Sequence, residues 1–146
     1  LSHTTTVRSV KITEIDALRQ AIAEIAAEGI AVELVENAVP RMYYGNQHGK
    51  CDYVIKLKNS QYDVGLERQR DGSFVPVFDE YAGHIAKQLG AKRSRRGNEN
   101  SAEHAIGNLL QKYAVNAAKN AALGQGLIIE SCTVDEENRV SLVIAV

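Results

Sequence analysis

Three groups of residues in this 146-residue chain have side chains whose types and spacing could do chemistry. The first is His48 and Cys51, separated by two residues in Gly-Asn-Gln-His-Gly-Lys-Cys, positions 45–51. That is the spacing of half a zinc site, but zinc takes three or four ligands and structural sites repeat such a pair. His3, His84, His104 and Cys132 are scattered along the chain, so no metal is assigned. Cys132, inside an apolar strand, reads as a buried thiol. The same heptapeptide approaches the phosphate-binding pattern G-x-x-x-x-G-K-[ST]. Its spacer is one residue short, Cys51 replaces the hydroxyl that must reach magnesium, and a strand rather than a helix follows. It reads as a flexible connection.

The second group is acidic: Asp63, Glu67, Asp71, Asp79 and Glu80, within Tyr-Asp-Val-Gly-Leu-Glu-Arg-Gln-Arg-Asp-Gly-Ser-Phe-Val-Pro-Val-Phe-Asp-Glu-Tyr. Paired carboxylates can hydrolyse glycosides when both flank one bond. Taking Asp71-Gly72 as a two-residue turn sets Arg70 opposite Ser73, Leu66 opposite Val77 and Gly65 opposite Phe78. Glu67 and Asp79 then project from opposite faces and cannot share a substrate. These acids read as the solvated face and rim of a hairpin. With no G-x-S-x-G elbow and no cysteine-protease signature, no catalytic residue is assigned.

The third group is Lys92, Arg93, Arg95 and Arg96, in Lys-Arg-Ser-Arg-Arg. Guanidinium groups grip phosphate through paired hydrogen bonds, and His104 on the following helix adds a donor. These five residues form the candidate phosphate site, for a nucleotide or a nucleic acid. No aromatic residue is interleaved for stacking, so the plainer reading is a solubilising loop.

The elements that must position these groups are legible from periodicity. Residues 4–12 read as a strand rich in threonine and valine. Ile15, Leu18, Ile22 and Ile25 mark one face of a helix, capped by Thr13 and ended by Gly29. Residues 30–36 and 53–58 alternate as strands, with a loop between, and Tyr53, Ile55 and Leu57 share a face. The hairpin follows, with Val64, Leu66, Val75 and Val77 on its core face. Its other face is mixed, and there Phe74, Pro76 and Phe78 form a candidate protein-docking strip. Pro76 cannot donate to a ladder, which makes its strand an edge or a bulge.

Residues 81–91 read as a short helix closed by Gly90, and 92–100 as an exposed loop. A long helix spans about 101–123, capped by Asn100 with Glu103 completing a capping box. Its stripe is Ile106, Leu109, Leu110, Tyr113, Ala114, Ala117 and Ala121. The last twenty residues form a hairpin around Asp-Glu-Glu-Asn. The expectation is a single α+β domain over 1–146: a mainly antiparallel sheet of six to seven strands against two to three helices.

Seventeen basic and eighteen acidic residues leave a net charge of -1, so bulk charge does not pull toward nucleic acid. Two cysteines are too few for a disulfide framework and read as reduced and intracellular. No stretch approaches the roughly 20 apolar residues of a membrane helix, and no signal-peptide block is visible, so the expected location is cytoplasmic. Leu1 stands where methionine is expected. That points to a non-standard start codon in a prokaryotic or phage gene, or to a residue introduced in cloning.

Four blocks, Ser-His-Thr-Thr-Thr-Val, Cys-Asp-Tyr-Val-Ile-Lys-Leu, the acidic hairpin, and Lys-Tyr-Ala-Val-Asn-Ala-Ala-Lys-Asn-Ala-Ala-Leu-Gly-Gln-Gly-Leu-Ile-Ile-Glu, together resemble one family. It is the domain of unknown function 1257 family, small proteins of cyanobacteria, plastids and phages. The likeness covers nearly the whole chain. Members commonly carry tryptophan where this chain has Glu80, and histidine where it has Asn116. The family has no established activity, and its genes often lie near AAA-type ATPases, which implies an accessory role. The expected function is a non-enzymatic binding or adaptor protein that engages a protein partner, such as an AAA-type ATPase, and self-associates. No cofactor and no membrane partner are expected. The alternatives are a small-ligand or nucleotide binder using loop 92–96, and a nucleic-acid binder.

Overall fold

The computed structural model describes residues 4–6, 11–43, 48–80, 83–90, 102–134 and 140–145. The order of elements is β1 (Thr4–Thr6), α1 (Ile15–Ala27), β2 (Val32–Ala38), β3 (Cys51–Leu57), β4 (Val64–Arg68), β5 (Phe74–Asp79), α2 (Ala86–Leu89), α3 (Ala102–Ala105), α4 (Gly107–Gly124), β6 (Ile128–Val134) and β7 (Val140–Ala145). The α+β class is as expected, but the strands divide between two sheets. Five form an antiparallel sheet in the order β1-β5-β4-β3-β2, and β6 and β7 pair separately.

The central hairpin departs from the expected register by one residue. Gly65 stands opposite Val77, Leu66 opposite Pro76, and Arg68 opposite Phe74. The turn holds three residues, not two. Gly72 donates to the Gln69 carbonyl and takes φ +85°, while Gln69 donates to Ser73. A two-residue type I′ turn needs positive φ at both central positions, and Asp71 does not adopt it. Instead the Asp71 carboxylate accepts from the Ser73 amide and hydroxyl. Because strand side chains alternate, a slip of one exchanges the faces of one strand. Phe74, Pro76 and Phe78 therefore join Val64 and Leu66 on the helix-facing side.

That side is the main core. Ile12, Leu18, Ile22, Ile25, Ile55, Leu57, Leu66, Phe78, Leu89, Ile106 and Leu109 are buried together there. The strand β5 is interior, with β1 pairing Thr6 to Val77 and Thr5 to Phe78. Phe74 exchanges both backbone hydrogen bonds with Ile12. By alternation the Pro76 nitrogen faces that same side, between the Ile12 bridge and Thr6. Strand β5 is thus interior, not the edge that its proline suggested.

Two helical expectations also change. The predicted long helix breaks at Ile106 (φ -121°, ψ 24°) into α3 and α4, while Asn100 and Ser101 lie outside the described residues. On α1 the N-cap residue is Glu14, and no side-chain cap from Thr13 forms. Gly29 does end α1, at φ +96°. Helices α1 and α4 run antiparallel and are joined by a polar ladder. Asn108 donates to Glu28, Lys112 pairs with Glu28, Asn116 donates to Glu24, and Asn120 donates to Gln20. Asn116, where the resemblance expects histidine, serves helix–helix register here.

Candidate functional site

The sheet's second face, away from the main core, displays Gly65, Glu67, Val75, Val77 and Asp79 by strand alternation. Residues 39–43 and 48–50, between β2 and β3, lie against it. An ideal Cβ on Gly65 would stand 3.0 Å from Pro40 Cγ, 3.2 Å from Val77 Cγ1 and 2.9 Å from Cys51 Sγ. These residues approach the sheet closely at Gly65, and by register the residue opposed to Gly65 is Val77 and not the Phe78 ring.

Acids of this face hold these residues down. Asp63, fully buried, accepts from the Arg41 amide at 2.9 Å, Arg41 Nε at 3.0 Å, Arg41 Nη2 at 2.8 Å and the Leu57 amide at 3.2 Å. Arg41 Nη2 also donates to the Leu57 carbonyl at 2.7 Å. Burial pushes the Asp63 carboxyl upward, but these donors outweigh it and hold it below the usual range. Buried Asp79 accepts from the Tyr43 amide. The expectation of a solvated acidic face is thus overturned for Asp63 and Asp79, whereas Asp71 is exposed and held at about 2 by hydrogen bonds from Ser73 and Lys11.

On the same face, His48 Nε2 donates to Glu67 Oε1 at 2.7 Å, and its Nδ1 lies 3.7 Å from Cys51 Sγ. A carboxylate only accepts, so Nε2 carries the proton of that contact, and in a neutral ring the Nδ1 lone pair then faces the sulfur. Cys51 is buried. Desolvation first, then the Glu67 and Asp52 carboxylates, push its thiol up, opposed by the Leu66 amide. This is not the electropositive setting of an activated nucleophile. Cys51 and Cys132 are both free thiols, Cys132 half-buried.

Glu67 and Asp79 share a face, contrary to the two-residue-turn register. Glu67 opposes Val75, however, which places Asp79 four residues farther along. At about 3.3 Å per residue the backbones are about 13 Å apart. That exceeds the separation of roughly 5–9.5 Å that glycoside hydrolysis uses.

Of the other predicted site residues, Lys92, Arg93, Arg95 and Arg96 lie outside the described residues. His104 is half-buried on the four-residue helix α3. The docking strip is overturned: Phe74, Pro76 and Phe78 are buried in the core layer, because the three-residue turn shifts the register.

An apolar surface does exist, elsewhere. In the C-terminal hairpin Ile129, Cys132, Leu142 and Ile144 are half-buried, and the hairpin packs on α4. Outside lie Ile128, 68% exposed, and Val143, 51% exposed, beside Leu123 at 59% and Leu127 at 37%. The β6 register shifts between Ile129 and Ser131, a bulge at the charged Glu130. The neighbouring strand β7, Val-Ser-Leu-Val-Ile-Ala, has no charge, proline or bulge and no second strand partner among the described residues. The expected C-terminal hairpin is present as β6 and β7, but periodicity could not show that it stays outside the main sheet.

Comparison of the chain with protein-family models, with curated proteins and with solved structures finds no match in any of the three.

Proposed function

We propose that this protein is a non-enzymatic binding module that assembles with a second copy of itself through β7. The observation that carries this reading is the unguarded β7 edge beside exposed Ile128, Val143, Leu123 and Leu127. Proteins blunt free sheet edges with charge, proline or bulges, and β6 has two of these devices where β7 has none. A two-stranded hairpin is marginal in water by itself. An uncharged strand is its own complement: antiparallel pairing of β7 with its copy is isologous and sets no charge against a like charge. A net charge of -1 adds little repulsion between copies. The accessory role beside an AAA-type ATPase, implied by the family resemblance, would belong to the assembled form.

The test is sedimentation of wild type, Val143→Lys and Val143→Glu across a concentration series. Wild type should dimerise, each charged variant should be monomeric with unchanged circular dichroism, and an equimolar mixture of the two should pair again. A wild type that stays monomeric throughout the series overturns the reading.

A further inference from the structure

We propose that Asp71–Gly72 is the site of spontaneous isoaspartate formation in this chain, and that the Ser73 hydroxyl sets its rate. The pair served above only as a turn. It is also the one Asp-Gly pair in the sequence, and Asn-Gly does not occur. Gly72 has no Cβ, so nothing shields its nitrogen from the carboxyl of the residue before it. In the modifying step the Gly72 nitrogen bonds to Asp71 Cγ. The amide proton and the carboxyl hydroxyl leave as water, and a succinimide ring closes. Water then reopens the ring at either carbonyl. Cleavage at Cγ restores aspartate, whereas cleavage at the Asp71 main-chain carbonyl leaves the chain running through Cγ, as isoaspartate. Solvent is the only co-reactant, and the Asp71 side chain is 54% exposed to it.

The fold restrains both reacting groups. Asp71 Oδ1 accepts from the Ser73 amide at 3.0 Å and from the Ser73 hydroxyl at 2.6 Å, and Lys11 Nζ reaches Oδ2 at 3.2 Å. The ionised carboxylate is a far poorer electrophile than the acid, because it has no hydroxyl to lose. These donors, the Ser73 hydroxyl first, hold the carboxyl at about 2, which keeps it in the unreactive form at neutral pH. The nucleophile is tied as well. The Gly72 amide donates to the Gln69 carbonyl at 3.0 Å, inside a turn closed by Gln69 donating to Ser73 at 2.7 Å. Ser73 is buried while Lys11 is exposed, so the hydroxyl is the firmer restraint. Isoaspartate would add a main-chain carbon to the turn whose length sets the register of β4 with β5.

The test incubates the full chain at neutral pH, folded and in urea. Isoaspartate is counted by enzymatic methylation of its carboxyl and located by chromatography of the peptides, which differ in retention but not in mass. In urea the modification should appear first at Asp71, and folding should slow it roughly tenfold or more. Ser73→Ala should speed it in the folded protein by about tenfold, the change in protonated carboxyl per unit of pKa. Gly65→Ala, which crowds the sheet away from the turn, should leave the folded rate near that of wild type. Circular dichroism checks that each variant is folded. Equal folded rates in wild type and Ser73→Ala overturn the assignment. So does isoaspartate arising first at another residue, or Gly65→Ala matching Ser73→Ala, which would trace the reaction to general loosening of the fold.

Discussion

The hydroxyl of Tyr113, near the middle of α4, accepts a hydrogen bond from the backbone amide of Glu14 at 3.1 Å, and another from Thr13 at 2.9 Å. A side chain about a hundred residues away thus satisfies amides at the entry to α1, where Thr13 was expected to cap. Helix starts leave such amides without partners, and a side-chain oxygen from anywhere in the fold can serve. Tyr113→Phe should destabilise the protein by about 1–2 kcal/mol. Thr13→Ala should change stability by less than about 0.5 kcal/mol. Urea unfolding of both variants checks the contrast, and equal losses would show that Tyr113 is not the cap.

The Arg41–Asp63 clasp predicts acid sensitivity with a definite sign. The folded-state pKa of Asp63 lies below its ordinary value, so its contribution is present above about pH 4 and is lost as pH falls through the folded value. Arg41→Leu leaves a buried carboxylate without its cation and should cost about 3–5 kcal/mol at neutral pH. Its stability should then rise, relative to wild type, as acid neutralises Asp63. Urea midpoints across about pH 3–7 for wild type and Arg41→Leu measure this, and parallel pH profiles would refute it.

Gly65→Ala should destabilise by about 1–3 kcal/mol, because the new methyl meets Pro40 and Val77. The closest obstruction is Cys51 Sγ, so the same change in a Cys51→Ala background should cost less. Pro40 remains in the way, and relief should be partial. A double-mutant cycle by denaturant unfolding reads the coupling. A coupling of zero would mean that the sulfur is not the obstruction.

Phe78 distinguishes a core residue from a docking residue. Fully buried against the helices, it should cost about 3–5 kcal/mol when replaced by alanine. A surface docking residue would lose partner binding with almost no change in stability. Thermal unfolding of Phe78→Ala decides between them.

What the sequence determined by itself was local. The 3.6-residue spacing of Leu18, Ile22 and Ile25 forms α1 wherever its partner lies, and alternation around Ile55 and Leu57 forms β3 in the same way. The left-handed conformation at Gly29 belongs to a short stretch too. Only the tertiary structure decided which face of β5 is core. A single residue of turn length, carried by Gly72 and by the hydrogen bonds of Asp71 to Ser73, exchanged Val75 and Val77 for Phe74 and Phe78. Apolar side chains on both faces of that strand gave periodicity nothing with which to choose. The pairings of Arg41 with Asp63, His48 with Glu67, and Tyr113 with Glu14 span 22, 19 and 99 positions. Such contacts form only when closed loops bring their partners together, and residue spacing along the chain has no term for that closure.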